Sequence, residues 1–137
     1  MRVLALDYGS ARCGVAVSDP TRTVATPLEP VLRPATKKGF QSLVRRVAEL
    51  EVGQVVVGLP LSLSGADSLQ TRETRQFAER LRTALSVPVD LYDERFTTRL
   101  AQQGPSADAS LDSRAAAVLL DEWLTVFGHL PIEGRTD

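Results

Sequence analysis

Residues 2–18 read Arg2-Val3-Leu4-Ala5-Leu6-Asp7, then Tyr8-Gly9-Ser10-Ala11-Arg12, then Cys13-Gly14-Val15-Ala16-Val17-Ser18. Two short apolar runs flank a turn of small and polar residues, the pattern of two strands joined as a hairpin. Side chains alternate along a strand, so Asp7 shares a face with Val3 and Ala5. A carboxylate that closes an apolar strand is costly when buried without a partner. It calls for a cation, a helix N-terminus or hydrogen-bond donors. Capping of the Gly9 turn is the purely structural alternative.

Outward from this hairpin, a third strand is expected within residues 23–32, where Pro27 and Pro30 push it to a sheet edge or break it. The period then changes. Thr36 can cap a helix running to about Glu51, with Phe40, Leu43, Val44 and Val47 on one stripe. Residues 54–58 predict a short buried strand, and Leu59–Ala66 a loop. Asp67 with Gln70 resembles a capping box and opens a helix whose inner face carries Phe77, Leu81, Ala84 and Leu85. Residues 87–92 predict another strand, Thr97–Gln103 a short helix, and Gly104–Ser110 a small, polar connection. Leu111–Phe127 is a final amphipathic helix. A hairpin or meander followed by αβαβα predicts an α/β fold with a mixed sheet: an antiparallel N-terminal part plus parallel strands, flanked by helices.

The 137 residues predict a single domain, 1–137. Cys13 is the only cysteine and His129 the only histidine. A disulfide framework and a multi-cysteine zinc site are excluded, so a metal site must be built from oxygen ligands. No apolar run approaches a membrane span. The acid at position 7 rules out a signal peptide, so the expected compartment is the cytoplasm. The net charge is −1, yet of 16 basic residues all but Lys37 and Lys38 are arginine, whose planar fork suits phosphate. With four of the 17 acids assigned to a metal site, the remaining surface carries 16 positive and 13 negative charges.

Three acidic positions stand at element ends. Asp7 closes the first strand. Asp93-Glu94-Arg95 follows the last one, and alternation allows only one of its two acids to share a site with Asp7. Asp112 opens the final helix and heads a stripe through Ala116, Leu119 and Trp123, opposite a polar side of Arg114, Asp121 and Thr125. Acids favour a first helical turn on electrostatic grounds alone. Together, however, these carboxylates can converge at one sheet edge. Oxygen-only sites suit Mg²⁺ or Mn²⁺, and paired metals about 4 Å apart are a standard device for phosphodiester hydrolysis.

Four segments resemble the motifs of the YqgF/RuvX family. They are Leu6 through Asp19, then Val56-Val57-Gly58-Leu59-Pro60-Leu61 with Gly65, then Asp93-Glu94-Arg95-Phe96-Thr97-Thr98, and Asp112 with Ala115-Ala116-Ala117-Val118-Leu119-Leu120. They occur in family order across nearly the whole chain. The resemblance implies an RNase H-like fold related to the junction resolvase RuvC. It also implies a metal-dependent nuclease that processes the 5′ end of pre-16S rRNA, or alternatively resolves Holliday junctions. It assigns catalysis and Mg²⁺ or Mn²⁺ binding to Asp7, Glu94 and Asp112, with Asp93 as a further candidate ligand. In the family's fold the strands ending at Asp7 and Glu94 are expected to be neighbours. The resemblance supports Arg12 and Arg95 as nucleic-acid-binding residues; Arg99 lies near them. Many members carry basic residues just before the final Asp, whereas residues 103–110 here have none.

Two other classes fit parts of the pattern. Asp7-x-Gly9 with Gly14 also reads as the phosphate hairpin of actin-like ATPases, but those clamp nucleotide between two such domains and this length supplies one. A non-catalytic nucleic-acid or ribosome-associated module would gain nothing from clustered acids. Nucleic acid is thus the expected partner, RNA precursor or branched DNA, with no membrane. Junction resolution would further require a homodimer, for which the sequence offers no recognisable interface.

Overall fold

The computed structural model describes residues 1–60, 68–93 and 111–127, with residues 111 and 112 described by backbone alone. The elements in chain order are β1 (Arg2–Asp7), β2 (Arg12–Ser18), β3 (Ala25–Leu32), α1 (Lys37–Glu49), β4 (Val52–Leu59), α2 (Leu69–Ala84), β5 (Val89–Asp93) and α3 (Leu111–Phe127). The five strands form one sheet in the order β3-β2-β1-β4-β5. β1–β2 and β2–β3 pair antiparallel, while β1–β4 and β4–β5 pair parallel. This is the mixed α/β architecture that the alternation of periods predicts.

The sheet separates two apolar layers. Leu4, Leu6, Cys13, Val15, Val55 and Val57 face α1 and α2, meeting Phe40, Leu43, Val47, Phe77 and Leu81. On the other face, Val3, Ala5, Ala16 and Val56 meet α3 through Ala116, Leu119, Leu120, Trp123 and Leu124. The α3 face of the sheet is built from small residues, so a single helix lies close against it. Asp7 has the parity of Val3 and Ala5 and therefore belongs to the α3 side, as the alternation of β1 predicts.

Local chemistry accounts for the element ends. Gly9 is required by the β1–β2 turn, where a Cβ would lie 2.7 Å from the Arg12 carbonyl oxygen. Thr36 caps α1 by accepting from the Gly39 amide at 3.1 Å. Gly39 itself seats α1 on the preceding loop, since a Cβ there would stand 2.2 Å from the Arg33 oxygen. β3 lies at an edge, where Pro27 and Pro30 are tolerated because one side of the strand needs no ladder donors. α2 is capped by Ser68, whose hydroxyl accepts from the Thr71 amide. Asp67, expected as the cap, lies outside the described residues.

Three expectations are corrected. The inner face of α2 is Thr71, Thr74, Phe77, Ala78 and Leu81, while Ala84 is exposed. The buried stripe advances by three and four from Thr71, and its next position is Leu85, the C-cap. The fifth strand begins at Val89 rather than 87, because Pro88 has no amide to pair and offers only its carbonyl, to Val55. β4 is longer than expected, Val52–Leu59, and buried throughout. The short helix expected at Thr97–Gln103 and the 104–110 connection lie outside the described residues.

Candidate active site

Asp7 is half-buried at the C-terminal end of β1, the central strand of the sheet. Its partner across the β1–β2 ladder is Gly14, which presents no side chain towards it. On the other flank, Leu6 pairs with Val57, and the next residue of β4 is Gly58. The carboxylate is thus bordered along the sheet by two glycines. Neither neighbour along the sheet puts a side chain beside the carboxylate.

The final helix is fixed over this end of the sheet by one hydroxyl. Between Cys13 and Val15 the β2–β3 register shifts: Cys13 faces Val31, but Val15 faces Leu28. The extra β3 residue opens the ladder. Ser113, fully buried, fills the gap. Its Oγ accepts from the Val15 amide at 3.3 Å and donates to the Leu28 carbonyl at 2.6 Å. Val15 directly follows Gly14, the partner of Asp7. The first turn of α3, with the backbone of Asp112, is therefore held beside the strand that carries Asp7.

Ser113 had no assigned role in the motif reading. A signal for it existed: Ser113, Ala116, Leu120 and Leu124 form a three-four-four stripe, which placed a polar residue at the head of a buried face. Replacing Ser113 by Ala removes the partner of the buried Val15 amide and of the part-buried Leu28 carbonyl. The expected cost is about 2 kcal/mol, read as a Tm several degrees lower in thermal denaturation. An unchanged Tm would mean the helix is held elsewhere.

The structure treats the other site candidates unequally. Asp93 ends β5 and pairs with Leu59 in a register that runs unbroken from Val89. Val89 and Leu91 pack in the α1/α2 layer, whereas Tyr92 packs on the α3 side. Asp93 has the parity of Val89 and Leu91, so it projects away from the face of Asp7. Glu94, Arg95 and Arg99 lie outside the described residues, as does the side chain of Asp112. Arg12 opens β2 at the same sheet edge as Asp7 and is exposed. Arg114, expected on the polar side of α3, is instead half-buried, with a buried Nη1 that makes no hydrogen bond. Asp121 and Thr125 are exposed as expected, and Trp123 is buried.

One expectation about strand order is overturned. The strands that end at Asp7 and at Asp93 are not neighbours: β4 lies between β1 and β5. Two strand spacings, roughly 9.5 Å, separate them. The crossover through α1 inserts β4 first, and only the crossover through α2 adds β5 outside it. Gly58, opposite Tyr92 in β5, lies in the strand between them.

Two tyrosines border the region. Burial pushes the Tyr8 phenol up, with Glu73 and Cys13 adding to the shift and Arg80 opposing it. Its ring stacks on Phe77 at 4.5 Å, on the side of the sheet away from Asp7. Burial also raises Tyr92, helped by Glu122 and Asp93. Both phenols remain protonated at neutral pH.

Among the described residues, no three His, Cys, Asp or Glu side chains form a group that could hold a metal. Of the four candidate acids, only Asp7 and Asp93 have described side chains, and they project from opposite faces. The available donor chemistry is carboxylate oxygen, which fits Mg²⁺ or Mn²⁺ and not a softer ion. Among the described residues, no helix is long and apolar enough to cross a membrane.

Known proteins resemble the chain at two levels. In overall fold it is similar to Thermus thermophilus RuvC, with a TM-score of 0.51 at 16% identity, covering 93% of this chain and 97% of that one. T. thermophilus RuvC in complex with Holliday junction substrate superimposes with a TM-score of 0.53, again at 16% identity, over 93% of this chain and 96% of that one. These likenesses establish an RNase H-like fold. In sequence, a protein of Anaeromyxobacter sp. (strain Fw109-5) named "Putative pre-16S rRNA nuclease" is 42% identical over 132 residues, 90% of this chain and 96% of that protein. A protein of the same name from Maridesulfovibrio salexigens is 36% identical over 132 residues, 90% of this chain and 98% of that protein. The family profile described as "RuvX: Holliday junction resolvase" matches residues 1–126, from the first strand through all but the last residue of α3, and the chain belongs to the RuvX family.

Proposed function

We propose that this chain is a metal-dependent nuclease that hydrolyses phosphodiester bonds, and that its substrate is the 5′ end of precursor 16S rRNA. The observation that carries the reading is that Ser113 fixes the first turn of α3 to Val15 of β2, directly after Gly14, the ladder partner of Asp7. The names of the relatives supply the substrate class. Asp7, Glu94 and Asp112 would hold Mg²⁺ or Mn²⁺. Glu94 is assigned on the motif resemblance, not on its placement. When bound, the metal supplies a Lewis acid for the scissile phosphate and lowers the pKa of water. Arg12, exposed on the same edge, is assigned the grip on a flanking phosphate, and Arg95 and Arg99 are assigned the same task. Work on a ribosomal precursor places the protein in the cytoplasm.

A second reading, resolution of Holliday junctions, is favoured by the family description and by the likeness to RuvC. It requires two coordinated cuts and hence a homodimer. Cleavage of a precursor rRNA fragment and of a synthetic four-way junction, side by side, separates the two. Precursor cleavage alone is the expected result, and junction cleavage alone would replace the first reading with the second. Either activity should require Mg²⁺ or Mn²⁺ and vanish in EDTA. Full turnover in excess chelator would remove the metal from the mechanism.

A further inference from the structure

The corner formed by the end of β3, the following loop and the first turn of α1 carries positive charge that stability does not explain. From Pro30 to Ala48 the chain has Arg33, Lys37, Lys38, Arg45 and Arg46 and no acid, although it has 17 acids in all. Both lysines of the protein stand in the first turn of α1, which contains no acidic residue. Cations there oppose the helix dipole, typically by some tenths of a kcal/mol each. Arg33 adopts a left-handed backbone, φ 47°, which favours glycine. That conformation is enforced from both sides. The Arg33 amide donates to the Ala11 carbonyl at 2.9 Å, and its carbonyl accepts from the Thr36 amide at 3.1 Å and the Thr36 hydroxyl at 2.7 Å. Arg80 stitches α2 to the same loop, donating to the Ala35 carbonyl at 2.8 Å with its guanidinium 4.0 Å from the centre of the Phe40 ring. The corner is rigid, yet among the described residues the side chains of Arg33, Lys37 and Lys38 form no ion pair, and both lysines are exposed.

Its position gives the charge a use. β1 ends and β2 begins at one edge of the sheet; β3, antiparallel to β2, ends there too, where Leu32 pairs with Arg12. Asp7, Arg12 and the Arg33–Lys38 corner are therefore set along the same edge. The end of β3 lies two strands, roughly 10 Å, from the end of β1 in the plane of the sheet, and α1 starts on the sheet face opposite to that of Asp7, so its lysines stand farther off, around the same edge. A nucleic-acid strand advances about 3.4 Å of axis per nucleotide, so the gap corresponds to at least about three nucleotides. We propose that Arg33, Lys37 and Lys38, continuous with Arg12, form a track that binds the sugar-phosphate backbone a few nucleotides from the scissile bond. This inference rests on the nuclease reading of the Asp7 site.

The test is equilibrium binding of a fluorescein-labelled RNA hairpin with a single-stranded 5′ extension, titrated at several salt concentrations in EDTA to prevent cleavage. The double variant Lys37→Gln/Lys38→Gln should bind roughly tenfold or more weakly and lose about 1 to 2 from the slope of log K against log salt. Lys37→Glu/Lys38→Glu should bind more weakly still. Both should melt at or above the wild-type temperature, because cations leave the helix N-terminus. Arg22→Gln, in the β2–β3 turn at the opposite edge, removes one charge and should leave affinity nearly unchanged. Wild-type affinity and slope in the lysine variants would overturn this proposal alone, as would an equal loss per charge in Arg22→Gln. Failure of the wild-type chain to bind the RNA would overturn the nuclease reading and this proposal together.

Discussion

Asp7→Asn should abolish phosphodiester cleavage while leaving a folded protein that still binds nucleic acid. The substitution keeps the shape of the side chain and removes one negative charge from the end of the central strand. A loss of roughly 10³-fold or more in single-turnover cleavage corresponds to about 4 kcal/mol of barrier. Binding should be equal or tighter, because a polyanion no longer approaches that charge. The Tm should stay close to wild type: Asp7 is only half-buried, faces Gly14 across the ladder, and Asn keeps its size. Cleavage, a binding isotherm and a melting curve on one preparation separate these effects. Near-normal turnover by the variant would show that the site lies elsewhere.

Glu94→Gln and Asp93→Asn should behave differently, and the structure sharpens the reason. Strand β5 runs from Val89 to Asp93 in unbroken register with β4, so no bulge re-aims its last residue. Val89 and Leu91 pack against α1 and α2, and Tyr92 packs on the α3 side. Asp93 therefore leaves the sheet opposite to Asp7, which leaves Glu94 as the acid of this motif assigned to the site by the family resemblance. Glu94→Gln should eliminate cleavage and weaken Mn²⁺ binding together. Asp93→Asn should keep turnover within about tenfold, or roughly 1.4 kcal/mol of barrier. Its main consequence is expected at Tyr92, whose raised phenol is due in part to Asp93; the variant should lower the pH of the tyrosinate absorbance rise. Single-turnover cleavage at saturating Mn²⁺ decides between the two acids. A dead Asp93→Asn enzyme beside an active Glu94→Gln would reverse the assignment.

The motif reading and the structure agree best where the signal is local, although Arg114 and Ala84 depart from their expected faces. The apolar runs of β1 and β2 and the 111–127 periodicity lie in single windows of sequence, where a period of two or near four directly states which side chains share a face. That is why the side of Asp7 and the burial of Ala116, Leu119 and Trp123 could be read before any fold was known. A boundary drifted at Pro88, where one missing amide ends the pairing, and the face of Ala84 was misread in the last turn of α2, next to the C-cap Leu85.

The order of the strands followed a different logic. Nothing in residues 52–59 or 89–93 states that β4 lies between β1 and β5, because parallel partners are chosen by the crossovers that α1 and α2 make and by burial of β4 on both faces. The seat of α3 is equally non-local: Ser113 matters because it meets an amide 98 residues away in one strand and a carbonyl 85 residues away in another, at a register shift that neither strand announces. Residue types and faces were written in the chain because they depend on neighbours a few positions apart. The distance between the ends of β1 and β5 arises only when both pair with β4, and the alignment of Arg12 with Arg33, Lys37 and Lys38 along the edge of Asp7 only when β1, β2 and β3 pair, since hydrogen-bonded register sets which strand ends coincide.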